Sequence, residues 1–214
     1  MTTISTRFLT AAALACAALT PAVSQAGDFM VRARVLSLEP ANDSTGTLSA
    51  LGDVQANAKY IWEIDASYFV TPNVALELIA TTPQKHTVYL GGETSANKIG
   101  TLRHLPPTLT LQYHFAPTNP TVRPYVGLGV NYTRFSAVKL DANGSTAGGK
   151  VTLNNKSWGL AYNIGVDFPI TDKLSFNVDF KKIDLQTEAK LDGVKVGTVK
   201  VDPVLFGIGI GYRF

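Results

Sequence analysis

The most constraining stretch of this chain is its C-terminal sixteen residues, Val199 to Phe214 (VKVDPVLFGIGIGYRF). From Val204 onward apolar residues occupy every second position: Val204, Phe206, Ile208, Ile210, Tyr212 and Phe214. The other parity carries Leu205, Gly207, Gly209, Gly211 and Arg213. Alternation with period two sends each set to one face of a strand. One face is therefore wholly apolar, and the other small or polar. In a soluble sheet such a long aromatic edge would template aggregation. A closed barrel that turns its apolar face to lipid has no edge to protect.

The same alternation recurs in eight segments: Phe29 to Leu38, Lys59 to Phe69, Val74 to Thr82, Leu102 to Phe115, Arg123 to Phe135, Ser157 to Phe168, Leu174 to Leu185 and Val199 to Phe214. Most reach the ~9–11 residues of a tilted membrane strand, whereas soluble strands centre on about 5–6. The connections alternate. Residues 70–73, 116–122 and 169–173 are short and carry Pro, Asn or Asp as turn formers. Residues 39–58, 83–101, 136–156 and 186–198 are long and rich in Gly, Asn, Ser, Thr or charge. Short turns at one end and long loops at the other are the rhythm of an outer-membrane barrel. The expected fold is all-β: an eight-stranded antiparallel transmembrane β-barrel in the bacterial outer membrane, with both termini periplasmic. The closing aromatics Tyr212 and Phe214 resemble the terminal signal that barrel-assembly machinery reads.

Residues 1–26 read as an export signal: Arg7, an apolar run from Phe8 to Leu19, and a small-x-small site at Ser24-Gln25-Ala26. That run is too short to span a bilayer, which takes ~20 residues. Residues 27–214 then form the barrel. The single cysteine, Cys16, falls within the signal, so no disulfide or thiolate site is expected in the barrel. Without Arg7 the 19 basic residues become 18, against 16 acidic, and nothing points to nucleic acid.

Face assignment follows from parity. Tyr60, Trp62, Ile64, Ala66 and Tyr68 point outward; Lys59, Glu63, Asp65 and Ser67 point inward. Leu109, Leu111, Tyr113 and Phe115 oppose Thr108, Thr110, Gln112 and His114. A charge facing hydrocarbon costs roughly 2–4 kcal/mol at mid-bilayer, so this segregation argues for lipid outside.

Several stretches together resemble the OmpW family of small outer-membrane proteins. They are Val74 to Pro83 (VALELIATTP), His104 to Thr108 (HLPPT), Arg123 to Tyr132 (RPYVGLGVNY), Ser157-Trp158-Gly159 with Gly165-Val166-Asp167, Asp202-Pro203, and Gly211 to Phe214 (GYRF). They cover nearly all of the chain beyond the signal and keep the family's order. The resemblance implies a narrow, largely apolar interior that helps small hydrophobic molecules cross the outer membrane, with lateral release into the bilayer as one route.

Eight strands enclose only enough room for side chains or one small ligand. Inward apolar positions Met30, Leu36, Ile61, Ile79 and Leu205, with Tyr125 as an aromatic wall, are the expected upper lining. Inward charges Arg32, Arg34, Glu63, Asp65, Glu77, Asp167, Asp179, Lys181 and Arg213 are expected to pair across the lumen, because buried charges must be compensated. The alternative for these charges is a polar path. Pro106 and Pro107 cannot donate ladder hydrogen bonds, which marks either a strand start after a loop or a lateral opening in the wall. His86, His104 and His114 lack metal-ligand spacing, no Gly-x-Ser-x-Gly elbow is present, and no cofactor, metal or enzymatic activity is expected. The expected partners are outer-membrane lipids, the assembly machinery and a small hydrophobic solute. Passage of small polar solutes, or loop binding of phage, bacteriocin or host molecules, are the competing roles.

Overall fold

The computed structural model describes residues 26–41, 43–46, 54–81, 84–90, 98–140 and 151–214. The expected export signal, with Cys16, thus lies outside the described residues but for Ala26. The described strands are β1 (Phe29–Glu39), β2 (Asp43–Gly46), β3 (Val54–Ala56), β4 (Lys59–Thr71), β5 (Val74–Thr81), β6 (Gln84–Leu90), β7 (Lys98–Leu105), β8 (Thr108–His114), β9 (Arg123–Leu140), β10 (Val151–Leu153), β11 (Lys156–Pro169), β12 (Leu174–Ile183), β13 (Gln186–Leu191), β14 (Val194–Lys200) and β15 (Val204–Arg213).

Eight of them close on themselves in the order β1-β4-β5-β8-β9-β11-β12-β15, every neighbour antiparallel. Closure is made where β1 pairs with β15, from Met30↔Arg213 to Glu39↔Val204. The expected all-β, eight-stranded antiparallel barrel is what the chain builds.

Alternation drives the two faces apart. On β4, Tyr60, Trp62 and Ile64 are 83%, 67% and 59% exposed, while their neighbours Ile61, Glu63 and Asp65 are buried. Outward aromatics gather near both ends of the wall. At the short-turn end Phe29 meets Tyr68 (ring centroids 4.9 Å apart), Tyr113 meets Phe115 (5.2 Å) and Tyr212 meets Phe214 (5.0 Å). At the far end Tyr132 packs on Trp158 at 4.7 Å. Such girdles mark the two membrane interfaces of a spanning barrel.

Three expectations need correction. The fourth expected segment, Leu102 to Phe115, is two strands: β7 stops at Leu105 and β8 starts at Thr108, because Pro106 and Pro107 supply no ladder donors. The eighth, Val199 to Phe214, breaks at Val201-Asp202-Pro203. There the Asp202 carboxylate accepts from the Leu185 N–H at 2.8 Å instead of leaving the chain to run on. Third, the long connections contain strands. β10, β13, β14 and β2 form a second four-stranded sheet, and β7, β6 and β3 extend the wall beyond β9. The β13–β14 hairpin turns at Asp192 (φ 48°) and Gly193 (φ 87°), the positive-φ pair of a two-residue hairpin.

Candidate functional site

The lumen is layered along its axis, and cross-strand register makes the layers. On the β1–β4 ladder the inward pairs run Met30↔Ser67, Arg32↔Asp65, Arg34↔Glu63 and Leu36↔Ile61. Opposite charges therefore face each other at mid-height, and apolar residues face each other one step above. On the other flank Arg32 and Arg34 lie opposite Gly211 and Gly209. A Cβ on Gly209 would sit 2.1 Å from the Ala33 carbonyl oxygen and 2.8 Å from Arg34 Cγ. The glycine thus leaves the space across which the Arg34 stem lies.

Three cations and five carboxylates form the middle layer. Arg32 grips Asp167 with Nε and Nη2 (3.1 and 2.8 Å), and its Nη1 reaches Asp65 at 3.3 Å and the Ser67 hydroxyl at 2.9 Å. Arg34 Nη1 lies 2.6 Å from both Glu63 and Asp65, and its Nε donates to Asn177 at 2.6 Å. Lys181 Nζ donates to both Glu63 oxygens at 2.9 and 3.0 Å. Thr110 donates to Glu77 at 2.8 Å, and the Tyr125 hydroxyl donates to Asp179 at 2.9 Å. All eight charged side chains are buried. Charges in this setting survive only when each is paired and hydrogen-bonded.

Above this layer lies a small, partly open recess. Ile61, Ile79, Leu205, Ile183 and Leu185 form apolar walls, Glu63 and Lys181 the floor, and Pro106 and Thr81 a side. Below the charges sits a small apolar group of Met30, Phe69 and Ala75.

The structure distributes the expected residues over these layers. Ile61, Ile79 and Leu205 border the recess. Leu36 packs in the upper apolar cluster, filling the space over Gly207. Met30 and Tyr125, expected in the upper lining, do not reach it. Met30 is at the short-turn end. Tyr125 lies in the charged layer, its ring centroid 5.2 Å from the Arg32 guanidinium that faces it and its ring against Gly165. Arg32, Arg34, Glu63, Asp65, Glu77, Asp167, Asp179 and Lys181 meet in one network. Arg213 stands apart from it, stacked over Phe69 at 4.0 Å with Asp28 at 3.7 Å, because the β15 register places it at the barrel's lower rim. Thr81, Ile183, Leu185 and Pro203 join the recess without having been singled out; only three-dimensional register shows them to be at its height. Tyr212 and Phe214 stack outward at 5.0 Å.

Among the described residues the ladder beside the recess is interrupted. β5 and β8 pair as far as Ile79↔Thr108, and the ladder resumes only at Gln84↔His104 between β6 and β7. Among the described residues no rung joins the two edges in between. Pro106 and Pro107 occupy that interval, and the Pro107 carbonyl turns the other way, toward the Tyr132 N–H (3.1 Å) and the Asn131 amide (3.3 Å).

A closed eight-stranded barrel with an apolar belt, two aromatic girdles and an ion-paired lumen is an outer-membrane protein of Gram-negative bacteria. The chain belongs to the OmpW family: the sequence profile described as "OmpW family" matches residues 25–214. It is 35% identical to outer membrane protein W of Escherichia coli (strain K12), over 96% of this chain and 99% of that one. In three dimensions it resembles the crystal structure of the outer membrane protein OprG from Pseudomonas aeruginosa, with a TM-score of 0.74, 31% identity, and coverage of 89% and 97% of the two chains. A more distant relative is the dibenzothiophene metabolism operon protein PahQ of Pseudomonas aeruginosa, 28% identical over 76% of this chain and 75% of that one. Family members are barrels without enzymatic activity.

Proposed function

We propose that the barrel assists small hydrophobic molecules across the outer membrane, receiving them in the upper recess and releasing them sideways into the bilayer. The observation that carries this reading is the adjacency of three features. An apolar recess rests on a floor of paired charges, and among the described residues the wall beside it lacks rungs at Pro106–Pro107. An apolar solute gains nothing by entering the charged layer, where it would have to part buried ions worth several kcal/mol each. The lipid beyond the lapse in the wall is the nearer apolar phase. The name of the PahQ relative, with its dibenzothiophene operon, adds weight toward a hydrophobic cargo. Residues 1–26 act in this scheme as the export signal, removed before the barrel assembles, and Tyr212 and Phe214 are what the assembly machinery reads.

The test is uptake of a small apolar compound by whole cells with and without the protein, with a polar solute as control. The protein is expected to speed apolar entry, and Ile79→Asp, which places a charge on the recess wall, is expected to abolish that gain. Unchanged apolar entry alongside faster polar entry would overturn the reading in favour of a polar channel.

A further inference from the structure

The polar groups at the recess are few, and they are unevenly satisfied. Thr108 accepts from the Asn131 amide at 2.8 Å. Lys181 and Glu63 satisfy one another through two hydrogen bonds. Thr81 differs: its hydroxyl is buried and has no hydrogen-bond partner among the described residues. Thr81 stands directly opposite Glu63 on the β4–β5 ladder, so its hydroxyl belongs to the corner where the apolar wall meets the charged floor.

An orphaned buried hydroxyl beside a built ion pair is a place for one polar atom of a ligand. We infer that the cargo is an apolar molecule bearing a single neutral oxygen function, such as an alcohol or phenol, whose head bonds Thr81 while its body lies along Ile61, Ile79 and Leu205. The inference rests on the hydrophobic-uptake reading and narrows it.

Competing heads fail for physical reasons. A plain hydrocarbon leaves the buried Thr81 hydroxyl as unpaired as it already is, whereas an alcohol supplies its missing hydrogen bond. A hydrogen bond gained by a buried unpaired group is worth about tenfold in affinity, and sites built around a substrate hydroxyl reject analogues that lack it. A carboxylate would approach a floor on which Glu63, Asp65, Glu77 and Asp179 already outnumber Arg34 and Lys181. An ammonium head would have to compete with Lys181 for Glu63 while shedding its own hydration among apolar walls. A hydroxyl brings no charge and both donates and accepts.

The experiment compares 1-octanol, octane, octanoate and octylamine. Each is titrated against the full-length barrel in lipid nanodiscs while the NMR signals of Thr81 and Ile79 are followed. The same four compounds are then tested for protein-dependent uptake by cells. Octanol is expected to saturate the Thr81 signal at a concentration about tenfold below octane, in parallel with faster uptake. Thr81→Val, which keeps the shape and removes the hydroxyl, is expected to erase the preference while octane binding persists. Equal binding of octanol and octane by the unaltered barrel, or a preference that survives Thr81→Val, overturns the inference. Protein-dependent uptake of all four at equal rates leaves the hydrophobic-uptake reading standing and removes only the head selection. Selective binding without any uptake does the reverse.

Discussion

The charged middle and the upper part of the lumen are built from the same strands by the same alternation, yet they are opposite materials. At mid-height β1 and β4 bring Arg32 against Asp65 and Arg34 against Glu63; one step higher they bring Leu36 against Ile61. Nothing in the backbone changes between those rungs. What changes is which inward residues register places at one level. The charged layer is a set of mutually dependent ion pairs. The upper part is an apolar cup. The difference implies that damage to the floor is cooperative and severe, while damage to the cup is local and alters traffic before it alters folding.

The largest expected effect is therefore Arg34→Met. It removes one guanidinium that serves Glu63, Asp65, Glu77 and Asn177 at once. Several carboxylates would be left buried without their partner, a situation that typically costs 3–5 kcal/mol, so a loss of about 4 kcal/mol is expected. Urea unfolding of the barrel in lipid vesicles measures it. A loss below about 1 kcal/mol would show that the floor is hydrated and not a sealed ionic layer.

How much of this contrast is legible in the sequence depends on direction. Whether a residue faces lipid or lumen follows from period two, which is why Tyr60, Trp62 and Ile64 sort from Ile61, Glu63 and Asp65 without a structure. Height in the barrel is another matter, because it depends on strand tilt and stagger. Met30 and Leu36 share a strand and a face, and only the ladder shows one at the lower rim and the other in the upper cluster. Tyr125 likewise reads as an aromatic wall of the upper lining until the hydroxyl is seen to donate to Asp179. The outer sheet was hidden for a different reason. Strands such as Gln186–Leu191 and Val194–Lys200 stand beyond the hydrocarbon and lack the lipid-facing apolar stripe, so their composition resembles a loop.

A smaller effect is expected at the lapse in the wall. The double substitution Pro106→Thr with Pro107→Val supplies two N–H donors and β-branched side chains where the ladder fails. Two restored donors favour the folded barrel by about 1 kcal/mol, readable in the same urea assay. Uptake of the apolar compound is expected to fall toward that of cells lacking the protein, because the side exit is closed while the recess is intact. Unchanged uptake in a measurably stiffer barrel would place the exit elsewhere.

The smallest effect sharpens the comparison by moving the same chemistry into water. On the outer sheet the Lys195 ammonium donates to the Glu188 carboxylate, with both side chains largely solvated. The hydrogen bond and charge of Lys195 hold the Glu188 carboxyl below the usual carboxylate range. A depressed carboxylate favours the fold above its unfolded pKa and loses that contribution as pH falls through its folded value. The pair's influence is therefore complete at neutral pH and fades only in acid, below the ordinary carboxylate value of about 4.3. Lys195→Met is expected to return Glu188 to ordinary titration, visible by NMR of its side-chain carboxyl, with no resolvable change in unfolding at pH 7. Solvent screens an exposed pair so strongly that its loss passes unnoticed by the fold. If Lys195→Met destabilised the barrel as much as Arg34→Met, burial would not be what separates the lumenal floor from the surface.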